Sequence, residues 1–280
     1  MNREIKMIQP ATFAEDGAGV KLKRLFPAGS MDQIDPFLLL DHFGSDNVDD
    51  FIAGFPMHPH RGIETVTYMI EGRVKHSDST GHSGTIEAGD VQWMSAGRGI
   101  LHEEMPERAE GKLEGLQLWV NLSAVDKMKP AEYQEYKAAD ITSFTDEGHD
   151  IRLISGDLLG RKGVVEKINT QPIFADITLN SGMLTLEIPE TYQAFIYVLS
   201  GDVEVPASTN QPTSVEAFEL ALLTMGQTLT VKTEQQSRFI LVAGEPIKEA
   251  IARSGPFVMN TQQEIRQVWQ ELSAGIFPPN

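Results

Sequence analysis

Short runs rich in Val, Ile, Thr, Tyr and Phe recur along this chain, each closed within a few residues by Gly, Asp, Asn or Pro. Such runs occupy Glu64 to Ile70, ahead of Glu71-Gly72, then Leu116 to Asn121, Met183 to Ile188 ahead of Pro189, and Phe239 to Ala243 ahead of Gly244. β-Branched and aromatic side chains suit a pleated surface, and the punctuating residues supply turns between strands. The pattern therefore points to an all-β chain built as an antiparallel sandwich or barrel. Helical periodicity is scarce. Its clearest instance lies near the carboxyl end, where Thr261 and Glu264 can form a capping box ahead of the apolar stripe Ile265, Val268, Trp269 and Leu272. Gly275 can close that element, so a helix is expected near 261–274, packed on a sheet.

At 280 residues the chain is long enough for two domains with their own cores. One constant shift, 197 − 68 = 129, carries Tyr68, Gly72 and Val74 onto Tyr197, Gly201 and Val203, and Gly97 onto Gly226. Two motifs aligning at one offset suggest duplication. The polar stretch from Lys129 to Asp140 is the expected junction, dividing the chain into tandem domains at residues 1–134 and 135–280, with the terminal helix in the second.

Acidic residues number 40 against 23 basic ones, and a net charge of −17 repels nucleic acid and anionic membrane. Apolar runs such as Phe37 to Leu40 fall far short of a membrane span, and the opening MNREIKMIQP lacks the apolar core of a secretory signal. A cytoplasmic protein is expected. There is no Cys, which excludes disulfides, thiolate ligation and thiol redox chemistry. Redox activity would have to run through a bound metal or cofactor.

Two segments can supply such a site, His58-Pro59-His60 and His102-Glu103-Glu104. Side chains alternate faces along a strand, so His58 and His60 share one face, as do His102 and Glu104. If the two strands meet, three imidazoles and one carboxylate converge in a mixed N/O site suited to iron, nickel, copper or manganese. Pro59 calls for a strand beginning or an edge, and Gly62 allows a bulge or the close approach of another strand. The 129-residue shift carries His58 to Glu187, His60 to Pro189, His102 to Val231 and Glu104 to Thr233, and the last His is His149. The second half is expected to keep the scaffold without the ligands. His76 and His82, in KHSDSTGHSG, are expected to be solvated, and Glu103 to face outward. Trp93, Met94, Phe43, Phe51 and Phe55 are candidates for an apolar pocket wall.

The segments FPMHPHRGIETVTYMIEG and GDVQWMSAGRGILHEEMP, with LLLDHFG upstream and GPFVMNTQQEI downstream, resemble the pirin family, whose members are tandem cupins with jelly-roll-like barrels. The resemblance covers essentially the whole chain. It implies that His58, His60, His102 and Glu104 ligate one divalent transition metal, with Fe(II) first and Ni, Cu, Mn, Co or Zn as alternatives. Glu64 is then either an acceptor for a ligand histidine N–H or a surface carboxylate on a strand, Arg98 is read as a partner of loop carbonyls, and His42 as a hydrogen-bonded interior residue. Through its likeness to quercetin 2,3-dioxygenases the resemblance implies a dioxygenase that opens flavonols with O2 and releases carbon monoxide. Glu104 would be the base, and a small planar aromatic molecule the substrate. The alternative implied is a non-enzymatic, metal- or redox-responsive regulator acting through protein partners rather than nucleic acid.

Overall fold

The computed structural model describes residues 1–26, 34–108, 112–166, 168, 170–207 and 213–279. The chain divides into two compact units, each a sandwich of a seven-stranded and a four-stranded antiparallel sheet. In the first sandwich the larger sheet runs in the order Glu132–Tyr136, Val91–Ser95, Ile63–Glu71, Leu113–Asn121, Phe37–Ser45, Val20–Arg24, Thr12–Asp16. The smaller runs Phe55–His60, Ile100–Pro106, Arg73–Asp78, Ser83–Glu87. In the second sandwich the order is Ile5–Pro10, Glu219–Leu223, Gln193–Ser200, Ser237–Gly244, Ile173–Leu179, His149–Ser155, Thr142–Asp146, with Gly182–Glu187, Thr228–Thr233, Asp202–Val205, Thr213–Glu216 as the smaller sheet.

The two orders correspond strand for strand. Tyr68 and Tyr197 occupy equivalent central strands, and the strand holding His102 has Thr228–Thr233 as its counterpart. The duplication inferred from the 129-residue shift is thus present in the topology. What differs is the filling. The second sandwich is packed with apolar side chains from both sheets, among them Leu184, Leu186, Val203, Val231, Ile177 and Phe239. The first has an apolar cluster built on Leu22, Phe43, Phe51, Met69, Val74 and Leu113, further buried apolar residues such as Val66, Met94 and Leu118, and alongside them a set of buried polar groups that includes His60, His76, His102 and Glu104.

The expected division at 134/135 into contiguous halves needs correction. The main crossing falls between Ala138 and Ala139, but Met1–Thr12 and Leu25–Pro36 belong to the second sandwich, and Ile247–Asn280 to the first. The helix, Gln262–Ser273, therefore sits in the first unit rather than the second. The physical reason is edge pairing and apolar burial. Glu132–Tyr136 covers one edge of the first large sheet, and the equivalent edge of the second is covered by Ile5–Pro10, the amino-terminal strand. The tail buries Phe257, Met259, Ile265, Val268 and Phe277 in a cluster that includes Leu101, next to His102. The capping box forms as the sequence implied, with Glu264 N–H donating to Thr261 Oγ1 at 3.2 Å and Thr261 N–H to Glu264 Oε2 at 2.8 Å.

Three features hold that tail. Gly62 has φ +79°, and a Cβ there would stand 1.9 Å from the Val258 carbonyl oxygen, so the close approach of Val258 N–H to Arg61 O at 3.0 Å requires glycine. Arg61, buried beneath the helix, donates from Nη2 to Glu271 at 2.6 Å. Lys127, also buried, donates from Nζ to Gly62 O, Asn121 Oδ1 and Val258 O at 2.7, 2.6 and 3.0 Å. An ammonium has three donors, and all three are used. Replacing Lys127 with Met strands three buried acceptors at roughly 1–3 kcal/mol each. Lys127→Met should therefore lose several kcal/mol of unfolding free energy in urea, and proteolysis should cut first within residues 247–280. A midpoint unchanged from the parent would show that this ammonium does not anchor the tail.

Candidate metal centre

The four-stranded sheet of the first sandwich brings the two ligand-bearing segments together. Phe55–His60 pairs with Ile100–Pro106 so that His102 lies opposite His58, and Ile100 opposite His60. Along Ile100–Pro106 the buried residues alternate, with Ile100, His102, Glu104 and Pro106 inward and Leu101, Glu103 and Met105 half-buried. The expected face-sharing of His102 and Glu104 follows from this period. Glu103 points away from the interior and accepts from Ser77 Oγ at 2.6 Å. Phe55–His60 is an edge strand, which is why Pro56 and Pro59 are tolerated in it. A register shift places Glu104 opposite Phe55.

The three imidazoles meet inside the sandwich. His58 Nε2 and His60 Nε2 are 3.1 Å apart, the ring of His102 lies 4.4 Å from that of His58 and 5.1 Å from that of His60, centroid to centroid, and one ligating atom from each falls within 4.8 Å of the others. The outer nitrogens of His58 and His60 are engaged elsewhere. His58 Nδ1 lies 2.9 Å from Pro56 O, and His60 Nδ1 3.4 Å from Pro256 O. A ring that donates from Nδ1 to a carbonyl keeps its lone pair on Nε2, so both rings aim lone pairs at the shared space. His102 is buried with no hydrogen-bond partner for either nitrogen. Burial first, and the neighbouring imidazoles second, push the protonation of His60 and His102 well below the ordinary histidine range. Neutral imidazoles facing one another with an orphaned buried nitrogen fit a cation, since a cation supplies the partner that three lone pairs lack.

Glu104 is buried beside this set but is not among its mutually close atoms. Its carboxylate is held from the opposite sheet, where Thr67 Oγ1 donates to Oε1 at 3.0 Å and Gln117 Nε2 to Oε2 at 2.9 Å. Cross-strand register places Gln117 beside Thr67 on one side and Asp41 on the other, a polar row beneath the histidines. Asp41 accepts two bonds from Arg24, at 2.9 and 2.6 Å.

A cavity of about 500 Å³ opens beside His58 and His60. Leu22, Leu39, Phe43, Phe55 and Trp119 form its apolar walls, and Arg24, Asp41, Gln117 and Arg253 its polar ones. Arg253 lies over the Trp119 ring at 4.7 Å. Of the expected wall residues, Phe43 and Phe55 line this cavity, whereas Trp93, Met94 and Phe51 are buried elsewhere in the sandwich. Trp119, Arg24 and Arg253 had no sequence signal, because their arrival depends on strand register and on the returning tail.

His42 is buried with Nε2 2.8 Å from Glu114 Oε1, an interior hydrogen-bonded residue. Arg98 contributes through its backbone, donating to Lys129 O at 2.8 Å and accepting from Arg61 Nε at 2.5 Å. His76 is a correction: it is buried on strand Arg73–Asp78 rather than solvated, because it lies on the inward face opposite Glu104. His82 is exposed as expected. In the second sandwich Glu187 is exposed and accepts from Thr228, Val231 is core, and Thr233 bonds to Asp202 O and Gln235 O. Both clusters of potential ligands among the described residues lie in the first sandwich.

Glu64 is a second correction, since it accepts from Trp93 Nε1 at 3.1 Å instead of from a ligand histidine. Burial pushes its carboxyl up to about 7 against the usual 4.5, and the Trp93 bond only partly offsets this. The folded state thus holds the proton more tightly than the unfolded state. The associated stability is present in full below pH 4.5 and is lost as pH rises through about 7, a change of about 3 kcal/mol at about 1.4 kcal/mol per pH unit. Glu64→Gln keeps an acceptor for Trp93 and removes the titration. Urea unfolding at pH 5 and pH 8 should show the parent losing more stability than the variant; parallel losses would contradict the assignment.

The model of the pirin family matches residues 19–120, and that of the pirin C-terminal cupin domain residues 174–278. Human pirin is 41% identical over 256 residues, covering 90% of this chain and 86% of that protein. The crystal structure of quercetin 2,3-dioxygenase from Acinetobacter baumannii superposes with a TM-score of 0.90 at 36% identity, covering 99% of both chains. The bacterial pirin YhhW of Escherichia coli, in complex with nickel(II), shares the fold at a TM-score of 0.65 and 19% identity, covering 86% of this chain and 98% of that one. No helix among the described residues is long and apolar enough to cross a membrane. Two cupin-type sandwiches, a histidine cluster in the first alone, and relatives matched over nearly the full length together establish that the chain belongs to the pirin family.

Proposed function

We propose that His58, His60 and His102, completed by Glu104, hold one divalent transition metal, and that the loaded protein is a dioxygenase of flavonols such as quercetin, opening the heterocycle with O2 and releasing carbon monoxide. The observation that carries this reading is the convergence of three inward imidazoles, two pre-set by backbone carbonyls and one orphaned, beside a cavity with aromatic walls. When bound, such a metal supplies Lewis acidity and the one-electron chemistry that O2 requires. The donor set accepts several first-row ions, and we assign Fe(II), with nickel, copper, manganese, cobalt or zinc able to occupy the same nitrogens.

The chain's own residues do the rest. A cavity of about 500 Å³ suits a small molecule, and the side chains of Leu39, Phe43, Phe55 and Trp119 match the faces of a planar aromatic one. Gln117, reaching both the cavity and Glu104, is placed to orient a substrate hydroxyl toward that carboxylate. Each carboxylate oxygen of Glu104 takes one bond from protein and retains a further lone pair, so Glu104 can accept the proton of the flavonol 3-hydroxyl while Thr67 and Gln117 hold it in place.

The reading is tested by metal content and quercetin-dependent O2 consumption. Glu104→Gln keeps shape and an oxygen donor but cannot take the proton at neutral pH, so turnover should fall by about a hundredfold to ten-thousandfold while most of the metal is retained. His102→Ala should lose metal directly, and Glu187→Gln, on the exposed edge of the second sandwich, should alter neither quantity. Parent rate in loaded Glu104→Gln would remove the base role. No O2 uptake by the loaded parent with any flavonol would end the dioxygenase reading.

A further inference from the structure

A second group of ligating side chains lies at the open edge of the first sandwich and plays no part in the chemistry above. His76 is on the inner face of strand Arg73–Asp78, His82 is in the turn that follows, and Glu135 is on Glu132–Tyr136, the edge strand of the opposite sheet. One ligating atom from each falls within 4.8 Å of the others. His76 Nε2 stands 2.9 Å and His82 Nε2 3.2 Å from the same carboxylate oxygen, Glu135 Oε1. Tyr133 stacks along His76 at 6.2 Å and packs on His82 at 4.8 Å, centroid to centroid, which fixes both ring planes.

Hydrogen bonding accounts for only part of this arrangement: Glu135 Oε1 accepts from Gln92 Nε2 at 2.6 Å and lies within hydrogen-bond reach of His82 Nε2 at 3.2 Å, but His76 is left out. The side chain of His76 is 1% exposed, yet its contact with Glu135 misses hydrogen-bond geometry and neither ring nitrogen has a hydrogen-bond partner. A buried imidazole left so is unfavourable, because each unmet group has given up water without gaining a partner. Gly84, directly across from His76, is the second observation: a Cβ there would stand 2.6 Å from His76 Nε2 and 3.5 Å from Glu135 Oε2. Its φ is not in the left-handed region, so open space in front of Nε2, and not the backbone, is what glycine provides.

We infer that His76, His82 and Glu135 form a second metal site, taking a borderline divalent cation, zinc foremost. Bonds of about 2.0–2.1 Å in tetrahedral geometry set ligand atoms about 3.3 Å apart, close to the separations seen from Glu135 Oε1 to the two imidazoles. Two imidazoles and a carboxylate select zinc and its first-row neighbours over magnesium or calcium. His82 and Glu135 are 42% and 35% exposed in their side chains, so the ion enters from solvent and water completes its shell. The role is structural. Ser83–Glu87 and Glu132–Tyr136 are edge strands of different sheets, and the ion clips the sheets together where a chain without Cys has no disulfide to use.

The test is zinc stoichiometry after stripping and equilibrium dialysis of the full chain, with circular dichroism as the check on folding. The parent should retain two ions, His82→Ala one, His60→Ala one and the double variant none. Gly84→Ala, which removes no ligand, should also drop the count by one, and Glu135→Gln should release the same ion if the alanine variant fails to fold. The same count in His82→Ala as in the parent overturns the inference, as does a parent with a single ion that His60→Ala loses. A single ion lost by His82→Ala but kept by His60→Ala would uphold this site and refute the first.

Discussion

Antiparallel pairing of Ile100–Pro106 with Phe55–His60 sets His102 opposite His58, and the rest of the first sandwich is arranged around the consequence, three imidazoles pointing at one another beside a cavity. Buried nitrogens demand partners. The edge strand and the tail meet part of that demand through the carbonyls of Pro56 and Pro256, and the facing sheet supplies Thr67 and Gln117 for the neighbouring carboxylate. The demand that remains is concentrated on the inner nitrogens, where a metal would satisfy it.

The second sandwich shows what the same topology becomes when that demand is absent. The 129-residue shift puts Val231 in place of His102, and the interior closes as an apolar core that contains Val231, Leu184, Leu186, Val203 and Phe239. Close packing of this kind supplies stability through apolar contact. The first sandwich gives up part of such a core for polar residues and a cavity, and it recovers order by other means. Its returning tail adds an apolar cluster, the Arg61–Glu271 ion pair and the three-acceptor grip of Lys127.

That tail also decides what reaches the site. Arg253 and Pro256 line the cavity and Pro256 holds His60, so residues far from the histidines in sequence shape their surroundings. The amino-terminal strand has the complementary place, covering an edge of the second sandwich. A contiguous cut between halves would separate each sheet from an element that completes it.

Local regularities were legible without coordinates. Alternation along HxH and HxE gave the shared faces, Pro59 the edge strand, Gly62 the close approach of another segment, Thr261 and Glu264 the helix start, and the 129-residue shift the duplicated topology. The shift rests on repetition of whole motifs; the others depend on backbone periodicity or on the conformational limits of one residue, which act over a few positions. Which strands pair, and which side chains then meet across the sandwich, is set by packing between distant segments. That is why Glu64 finds Trp93 rather than a histidine, why His76 is buried against Gly84 and Glu135, and why Arg253 and Trp119 reach the cavity. The sequence by itself determined the β architecture, the repeat and the shared faces of His58 with His60 and of His102 with Glu104; only the tertiary structure decided which side chains meet, His76, His82 and Glu135 among them, because long-range register and the return of the tail bring together residues whose separation along the chain carries no periodic signal.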